Sequence, residues 1–213
     1  MSGTPEFWLV AGPNGAGKTT LTQREPIVDL LANTVLLNAD DKTLEILLEQ
    51  GFHGFADVPA EIANAAFIDA ANHLVGELKK RLSQGQNVCV ETVLSTEKYK
   101  TVVESVVREG GFFGLIYVAL RNPELAIARI AARVRAGGHS VAIDRVVARW
   151  HRSIELLPWF VSRSHKFWVF DNSNEDMSLA PSVIAEGGCG IVKMHDRNAI
   201  PEITKSLTQW KTL

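Results

Sequence analysis

Gly12-Pro13-Asn14-Gly15-Ala16-Gly17-Lys18-Thr19 follows directly on the apolar run Phe7-Trp8-Leu9-Val10, and this pair of segments decides the fold. The apolar run reads as a short, buried first strand, and the stretch after it has the spacing of a complete Walker A loop. Glycines at these positions let the backbone curl until its N–H groups face phosphate oxygens. Lys18 can balance charge at the β- and γ-phosphates, and the Thr19 hydroxyl can ligate Mg²⁺. A glycine turn that only joined strand to helix would need no Lys-Thr after its last glycine. Gly12, Pro13, Asn14, Gly15, Ala16, Gly17, Lys18, Thr19 and Thr20 are therefore the expected binding residues for a nucleoside triphosphate, ATP or GTP, taken up with Mg²⁺.

Composition agrees with a compact cytoplasmic enzyme. The 213 residues are 46% hydrophobic and 22% charged with a net charge of −2, so one domain spanning residues 1–213 is expected. Near-neutral charge supplies no general drive toward nucleic acid or anionic membrane, and small phosphorylated ligands fit better. No apolar run approaches the roughly 20 residues needed to span a bilayer, and no secretory signal pattern opens the chain. Cys89 lies in an apolar run and Cys189 in a glycine-rich turn, so no disulfide framework is expected.

Apolar runs bounded by turn signals recur along the chain with helical stretches between them, the pattern of a parallel α/β sheet. The expected strands are Phe7–Ala11, Thr34–Leu37, Asn87–Val90, Phe113–Ala119 and Phe167–Phe170, five in all. Helical patterns begin at Lys18 and cover Glu61–Leu82, Thr96–Arg108 and Glu124–Arg135. Ligands of such sheets collect at the carboxyl ends of the strands, which directs attention to the residues just beyond each one.

Asn38-Ala39-Asp40-Asp41 follows the second strand. Either aspartate suits an N-cap, and Asp40 across the cleft from the triphosphate could also orient or deprotonate an attacking hydroxyl; Asp41 capping and Asp40 catalysing would reconcile both. Glu91-Thr92 follows the third strand, where a carboxylate can hold a Mg²⁺-bound water or meet the substrate. Asp171-Asn172-Ser173, after the fifth strand, suits a turn or a place near the nucleotide base. Arg129, Arg133, Arg135, Arg145, Arg149 and Arg152 crowd one region, with Asp144 the one acid among them. Arg129 and Arg133 share a helix face, Arg145, Arg149 and Arg152 share another, and Gly137-Gly138-His139 breaks between them. This reads as an arginine-rich helical lid over about residues 129–152 that neutralises charge on a transferred phosphoryl group.

Taken together, the Walker loop, Asn38-Ala39-Asp40, Glu91-Thr92-Val93-Leu94-Ser95 and Arg133-Val134-Arg135-Ala136-Gly137-Gly138-His139 resemble the zeta toxin family of P-loop kinases from about Phe7 to Ser173. The resemblance implies an adenylate-kinase-like core that moves the γ-phosphoryl of a nucleoside triphosphate onto a sugar hydroxyl. In known members the acceptor is UDP-N-acetylglucosamine. By motif position it makes Lys18, Asp40 and Arg133 catalytic, with Asp40 the base, and gives Thr19 and Glu91 to the metal. Glu91, Thr92, Arg129, Arg135 and Arg145 are the expected acceptor or lid residues, with Arg135 and Arg145 flanking the place of a second lid arginine. Ala142 stands where the family pattern often has proline, a departure confined to the lid. The resemblance also implies a small helical antitoxin as a possible partner.

Two other classes fit the same residues: a kinase of another small acceptor, and an NTPase switch in which Asp40 or Glu91 orients water. Only Met1 to Glu6 precede the first strand, so no fused inhibitory segment is expected there. Over about residues 180–213, Val183-Ile184-Ala185 and Ile191-Val192-Lys193 flank a Gly187–Gly190 turn, and a helix begins near Pro201; together they read as a hairpin and helix appended to the core edge. An alternative reading makes that element the partner-binding surface.

Overall fold

A computed structural model of the chain describes residues 4–55, 58–174, 176 and 179–209. The elements run β1 (Glu6–Ala11), α1 (Lys18–Thr22), α2 (Ile27–Leu31), β2 (Val35–Asn38), α3 (Ala39–Glu49), α4 (Ala60–Ser83), β3 (Val88–Thr92) and α5 (Lys100–Arg108). They continue with β4 (Phe112–Ala119), α6 (Pro123–Arg135), α7 (Ile143–Arg163), β5 (Lys166–Asp171), β6 (Ser182–Gly188), β7 (Ile191–Met194) and α8 (Pro201–Gln209). The strands form one sheet in the order β2-β3-β1-β4-β5-β6-β7. The first five are mutually parallel, as the continuous apolar runs require of strands covered on both faces.

The sheet therefore has seven strands among the described residues, where the sequence reading expects five. The C-terminal hairpin accounts for the difference, because it pairs antiparallel along the free edge of β5 and continues the sheet. Its turn is also tighter than the expected Gly187–Gly190. Gly187 and Gly188 belong to β6, and Cys189 and Gly190 alone make the reversal, with φ of 51° and 80°. Positive φ at both central residues matches the twist of a two-residue hairpin. Gly188 serves close approach, since a Cβ there would lie 2.0 Å from the His165 carbonyl oxygen. The first turn expected of α5 is also lost: Leu94 turns the chain at φ 59°, and the helix starts at Lys100 rather than Thr96.

Side chains alternate across the sheet into two cores. Phe7, Leu9 and Ala11 of β1 face α4, α5, the second half of α7 and α8, whereas Trp8 and Val10 face α1, α2 and α6. α7 links site and core: its first half carries Arg145 and Arg149, and its second half buries Ile154, Leu157, Phe160 and Val161. Pro158 inside α7 has no N–H to give the Ile154 carbonyl four residues back, and Ser206 Oγ of α8 donates to that carbonyl at 2.9 Å. The C-terminal helix thus supplies the hydrogen bond that the proline removes.

Gly114 is fixed by its cross-strand partner. It pairs with Trp8, whose indole lies over the glycine, stacks on Trp168 at 6.2 Å and contacts Phe112 at 5.2 Å. A Cβ on Gly114 would stand 2.2 Å from Trp8 Cε3. Gly114→Ala is expected to cost about 2–3 kcal/mol by overpacking. For a chain of this size that lowers the thermal midpoint by about 4–12 °C, and an unchanged melting curve would mean that the indole has room to swing aside.

Candidate active site

β1 delivers the Walker loop at the carboxyl edge of the sheet. Gly15 and Gly17 take φ of 74° and 83°, and a Cβ on Gly12 would meet the Val118 carbonyl oxygen at 2.1 Å. Lys18 is buried, and its Nζ donates to the carbonyls of Gly12 and Pro13 at 3.0 and 3.2 Å. Burial pushes its pKa down; Glu91 and Asp40 oppose that, and Arg133 and Arg149 reinforce it. Five charged side chains from five segments therefore share one field.

Glu91 is the penultimate residue of β3, in register with Val10 of β1 and Asn38 of β2, which places it beside the loop. Thr19 Oγ1 donates to its carboxylate, 2.9 Å from Oε2 and 3.1 Å from Oε1. Burial pushes the Glu91 pKa up, while Lys18 and the Thr19 bond pull it down. Oγ1 of Thr92, the next residue, accepts from the Leu94 N–H at 3.3 Å. The described residues hold no cluster of three or more His, Cys, Asp or Glu suited to a metal. A Thr hydroxyl against a carboxylate nevertheless suits Mg²⁺, which takes few protein ligands and completes its shell with waters and phosphate oxygens.

The cap of α3 corrects the sequence reading. Asn38 occupies the N-cap and its Oδ1 accepts from the Asp40 N–H at 2.9 Å, so neither Asp40 nor Asp41 caps the helix. The extended backbone at the end of β2 gives Asn38 the cap geometry, and both aspartates fall in the first helical turn. The Asp40 side chain is half exposed, with His139 Nε2 3.8 Å from its Oδ2.

α6 crosses above the loop, its Ala126 carbonyl 3.0 Å from where a Cβ of Gly15 would stand. Arg129 and Arg133 leave this helix on one side but serve different neighbours. Arg129 Nη2 donates to the Asn174 carbonyl at 2.8 Å, beyond β5. Arg133 Nη2 lies 3.1 Å from both the ring Nε2 and the carbonyl oxygen of His139. Neither Arg135 nor Arg145 supplies a second guanidinium to the loop: Arg135 is exposed, and Arg145 Nη1 donates to Asn64 of α4 at 3.1 Å. That position falls to Arg149, one helical turn beyond Arg145, whose Nη1 lies 3.4 Å from Asn14 Oδ1.

Residues 7–157 match the AAA domain family AAA_33. The chain belongs to that family. It is also 27% identical over 139 residues to an uncharacterised protein of Haemophilus influenzae, across 65% of this chain and 88% of that one. Among solved structures the AvrRxo1-ORF1:-ORF2 assembly with ATP superposes with a TM-score of 0.68 at 14% identity, over 94% of this chain. This chain spans 64% of that protein's length. The PezAT chromosomal toxin-antitoxin system of Streptococcus pneumoniae gives a TM-score of 0.57 at 17% identity, over 100% of this chain and 86% of that one. A candidate kinase of Chloroflexus aurantiacus gives 0.50 at 22% identity, over 69% and 80% of the two chains. These likenesses establish the fold, a mostly parallel α/β sheet flanked by helices.

Three features of this AAA domain's site escape sequence reasoning. Arg149 carries a signal, its i,i+4 spacing from Arg145, but spacing does not say which turn faces the loop. Asn172, read as a turn residue or a neighbour of the base, donates from Nδ2 to the Ala16 carbonyl at 2.8 Å and clasps the Walker loop itself. A Cβ on Gly17 would lie 2.6 Å from that Nδ2, so the last glycine of the motif also makes room for the clasp. His139 joins Arg133 to Asp40, a role hidden behind the glycine pair before it.

Proposed function

We propose that this chain is a kinase that moves the γ-phosphoryl group of a nucleoside triphosphate onto a hydroxyl of a small acceptor. The observation that carries the reading is the convergence of Lys18, Thr19 with Glu91, Asp40, Arg133 and Arg149 around one cleft at the sheet's carboxyl edge. A loop built to hold phosphates faces a carboxylate from the neighbouring strand end, with arginines between them.

In this reading the loop amides and Lys18 hold the β- and γ-phosphates. Thr19 and Glu91 hold Mg²⁺, which when bound neutralises developing phosphate charge. The acceptor oxygen attacks the γ-phosphorus in line and the bond from that phosphorus to the bridging oxygen breaks. The nucleoside diphosphate leaves with the electron pair, and the acceptor proton passes to the Asp40 carboxylate. Asp40 is half exposed and free of capping duty, as a group that meets a diffusing substrate requires. Arg133 and Arg149 reach the cleft from two helices and balance charge on the transferred group.

The finer reading is a nucleotide sugar as acceptor, UDP-N-acetylglucosamine first, with ATP as donor. It is supported by the zeta-type motifs and by the fold shared with the toxin-antitoxin protein. A partner protein that holds the enzyme inactive belongs to the same proposal, since two of the structural neighbours are two-component systems. The test is transfer of label from γ-labelled ATP with Mg²⁺ to UDP-N-acetylglucosamine, alongside free sugars and nucleotides. Label on the UDP-sugar is the expected result. Label on a different acceptor would keep the kinase and replace the substrate, whereas acceptor-independent release of phosphate would replace the kinase with an NTPase switch.

A further inference from the structure

We propose that His139 is a positioning residue of the transfer site: as a neutral imidazole it holds the Arg133 guanidinium beside Asp40, and a proton on the ring releases that arginine. The inference rests on the kinase reading above and adds to it a residue that neither the Walker loop nor the lid arginines require.

The hydrogen bonds dictate the protonation state. Arg133 Nη2 lies 3.1 Å from His139 Nε2, and a guanidinium has no lone pair, so Nε2 must accept and the ring proton must sit on Nδ1. The same Nη2 lies 3.1 Å from the His139 carbonyl oxygen, so one residue grips the arginine twice. Asp40 Oδ2 stands 3.8 Å from the same Nε2. That nitrogen thus sits between a cation and a carboxylate and can serve one of them at a time. Neutral, it takes a bond from Arg133; protonated, it keeps the proton on Nε2, repels Arg133 and turns that N–H toward the Asp40 carboxylate.

The surroundings hold the ring where this choice matters. Phe55 and Phe67 lie 5.0 and 5.3 Å from the imidazole and 6.0 Å from each other, forming an aromatic wall on its apolar side. Gly138 makes the fold-back possible, because a Cβ there would lie 2.7 Å from Arg133 Cγ. The Arg133 Nε is buried without a hydrogen-bond partner among the described residues, so the guanidinium keeps donor capacity beyond what His139 uses.

Among the described residues, three charged groups act on the ring. Asp40 comes from α3, Arg133 from α6 and Arg149 from α7, whereas α4 and the segment after α3 present the uncharged Phe67 and Phe55. Burial pushes the histidine below its ordinary value, Asp40 pulls it back up, and the two arginines push it further down. The neutral, arginine-holding form therefore prevails at neutral pH and is lost only on the acid side of about 6.5.

Three variants, assayed for phosphoryl transfer from about pH 5 to 8, test the assignment. His139→Ala is expected to lower kcat about 10²-fold through misplacement of Arg133, with the nucleotide-induced rise in melting temperature preserved. His139→Gln can place an acceptor oxygen near the former Nε2; it should recover most of that loss and lack the histidine's part of the acid limb. The shorter His139→Asn should not recover it. Glutamine and asparagine both behaving like alanine would overturn the assignment, and so would an acid limb left intact in His139→Gln, since it would then belong to Asp40 or Glu91. Imidazole ¹⁵N NMR supplies a readout independent of activity. The wild-type ring should be the Nδ1–H tautomer and should titrate at higher pH in Arg133→Gln; an unmoved titration would overturn the contact. If wild type transfers to no acceptor, the kinase reading fails, while the NMR titration still decides whether His139 holds Arg133.

Discussion

Lys18→Met is expected to abolish phosphoryl transfer, lowering kcat/KM by about 10³-fold or more, which corresponds to about 4 kcal/mol of lost transition-state stabilisation. The size follows from where the ammonium sits. Lys18 is buried and held by the Gly12 and Pro13 carbonyls, at the hub of a field shared with Glu91, Asp40, Arg133 and Arg149. Burial already disfavours its charge. Arrival of a triphosphate would reverse that balance by supplying the counter-charge that two neutral carbonyls lack. Methionine keeps the length of the stem and removes the charge, so the fold should survive. Two measurements check this: the transfer rate, and the melting temperature with and without ATP and Mg²⁺. Wild type should be stabilised by nucleotide and Lys18→Met much less so. Near-normal transfer by the variant would remove Lys18 from the site.

Asp40→Asn is the second large effect, with an expected fall in kcat of about 10²–10⁴-fold and unchanged nucleotide affinity. The cap of α3 makes this substitution clean. If Asp40 capped the helix, a loss of activity could be a loss of structure, at about 1 kcal/mol for a removed cap. Asn38 caps instead, through the Asp40 backbone N–H, which asparagine retains. The half-exposed carboxylate can therefore be neutralised at constant shape, and the melting temperature should stay within about 1 °C. Full transfer activity in Asp40→Asn would place the base elsewhere, with Glu91 the next carboxylate in the cleft.

Local chemistry made much of this molecule readable. The five parallel strands announce themselves as short apolar runs because burial on both faces removes alternation, and observed and expected bounds differ by at most two residues. The Walker loop is readable because its chemistry lies within eight consecutive residues. Glu91 and Asp40 could be located because the carboxyl ends of parallel strands share one edge, whatever the details of packing. The C-terminal hairpin was legible as a hairpin but not as part of the main sheet, since nothing within β6 and β7 encodes that β5 has a free edge to accept them.

The lid shows where local reading stops. Six arginine positions look equivalent along two helices, yet Arg133 turns to His139, Arg129 to the loop after β5, Arg145 to α4, Arg149 to the Walker loop, and Arg135 and Arg152 to solvent. Helical spacing says which of them share a face, and only the packing of α6 and α7 on the sheet says what each face meets. The clasp of Asn172 on Ala16 spans 156 positions and the contact of Arg149 with Asn14 spans 135, distances over which no pattern of neighbours carries information. The sequence by itself determined the phosphate loop, the parallel strands and the carboxylates at their ends, because each depends on backbone freedom and burial among near neighbours. The tertiary structure alone decided which arginine joins the loop, which residue caps α3 and how His139 comes between Arg133 and Asp40, because those outcomes depend on how rigid elements far apart in the chain pack against one another.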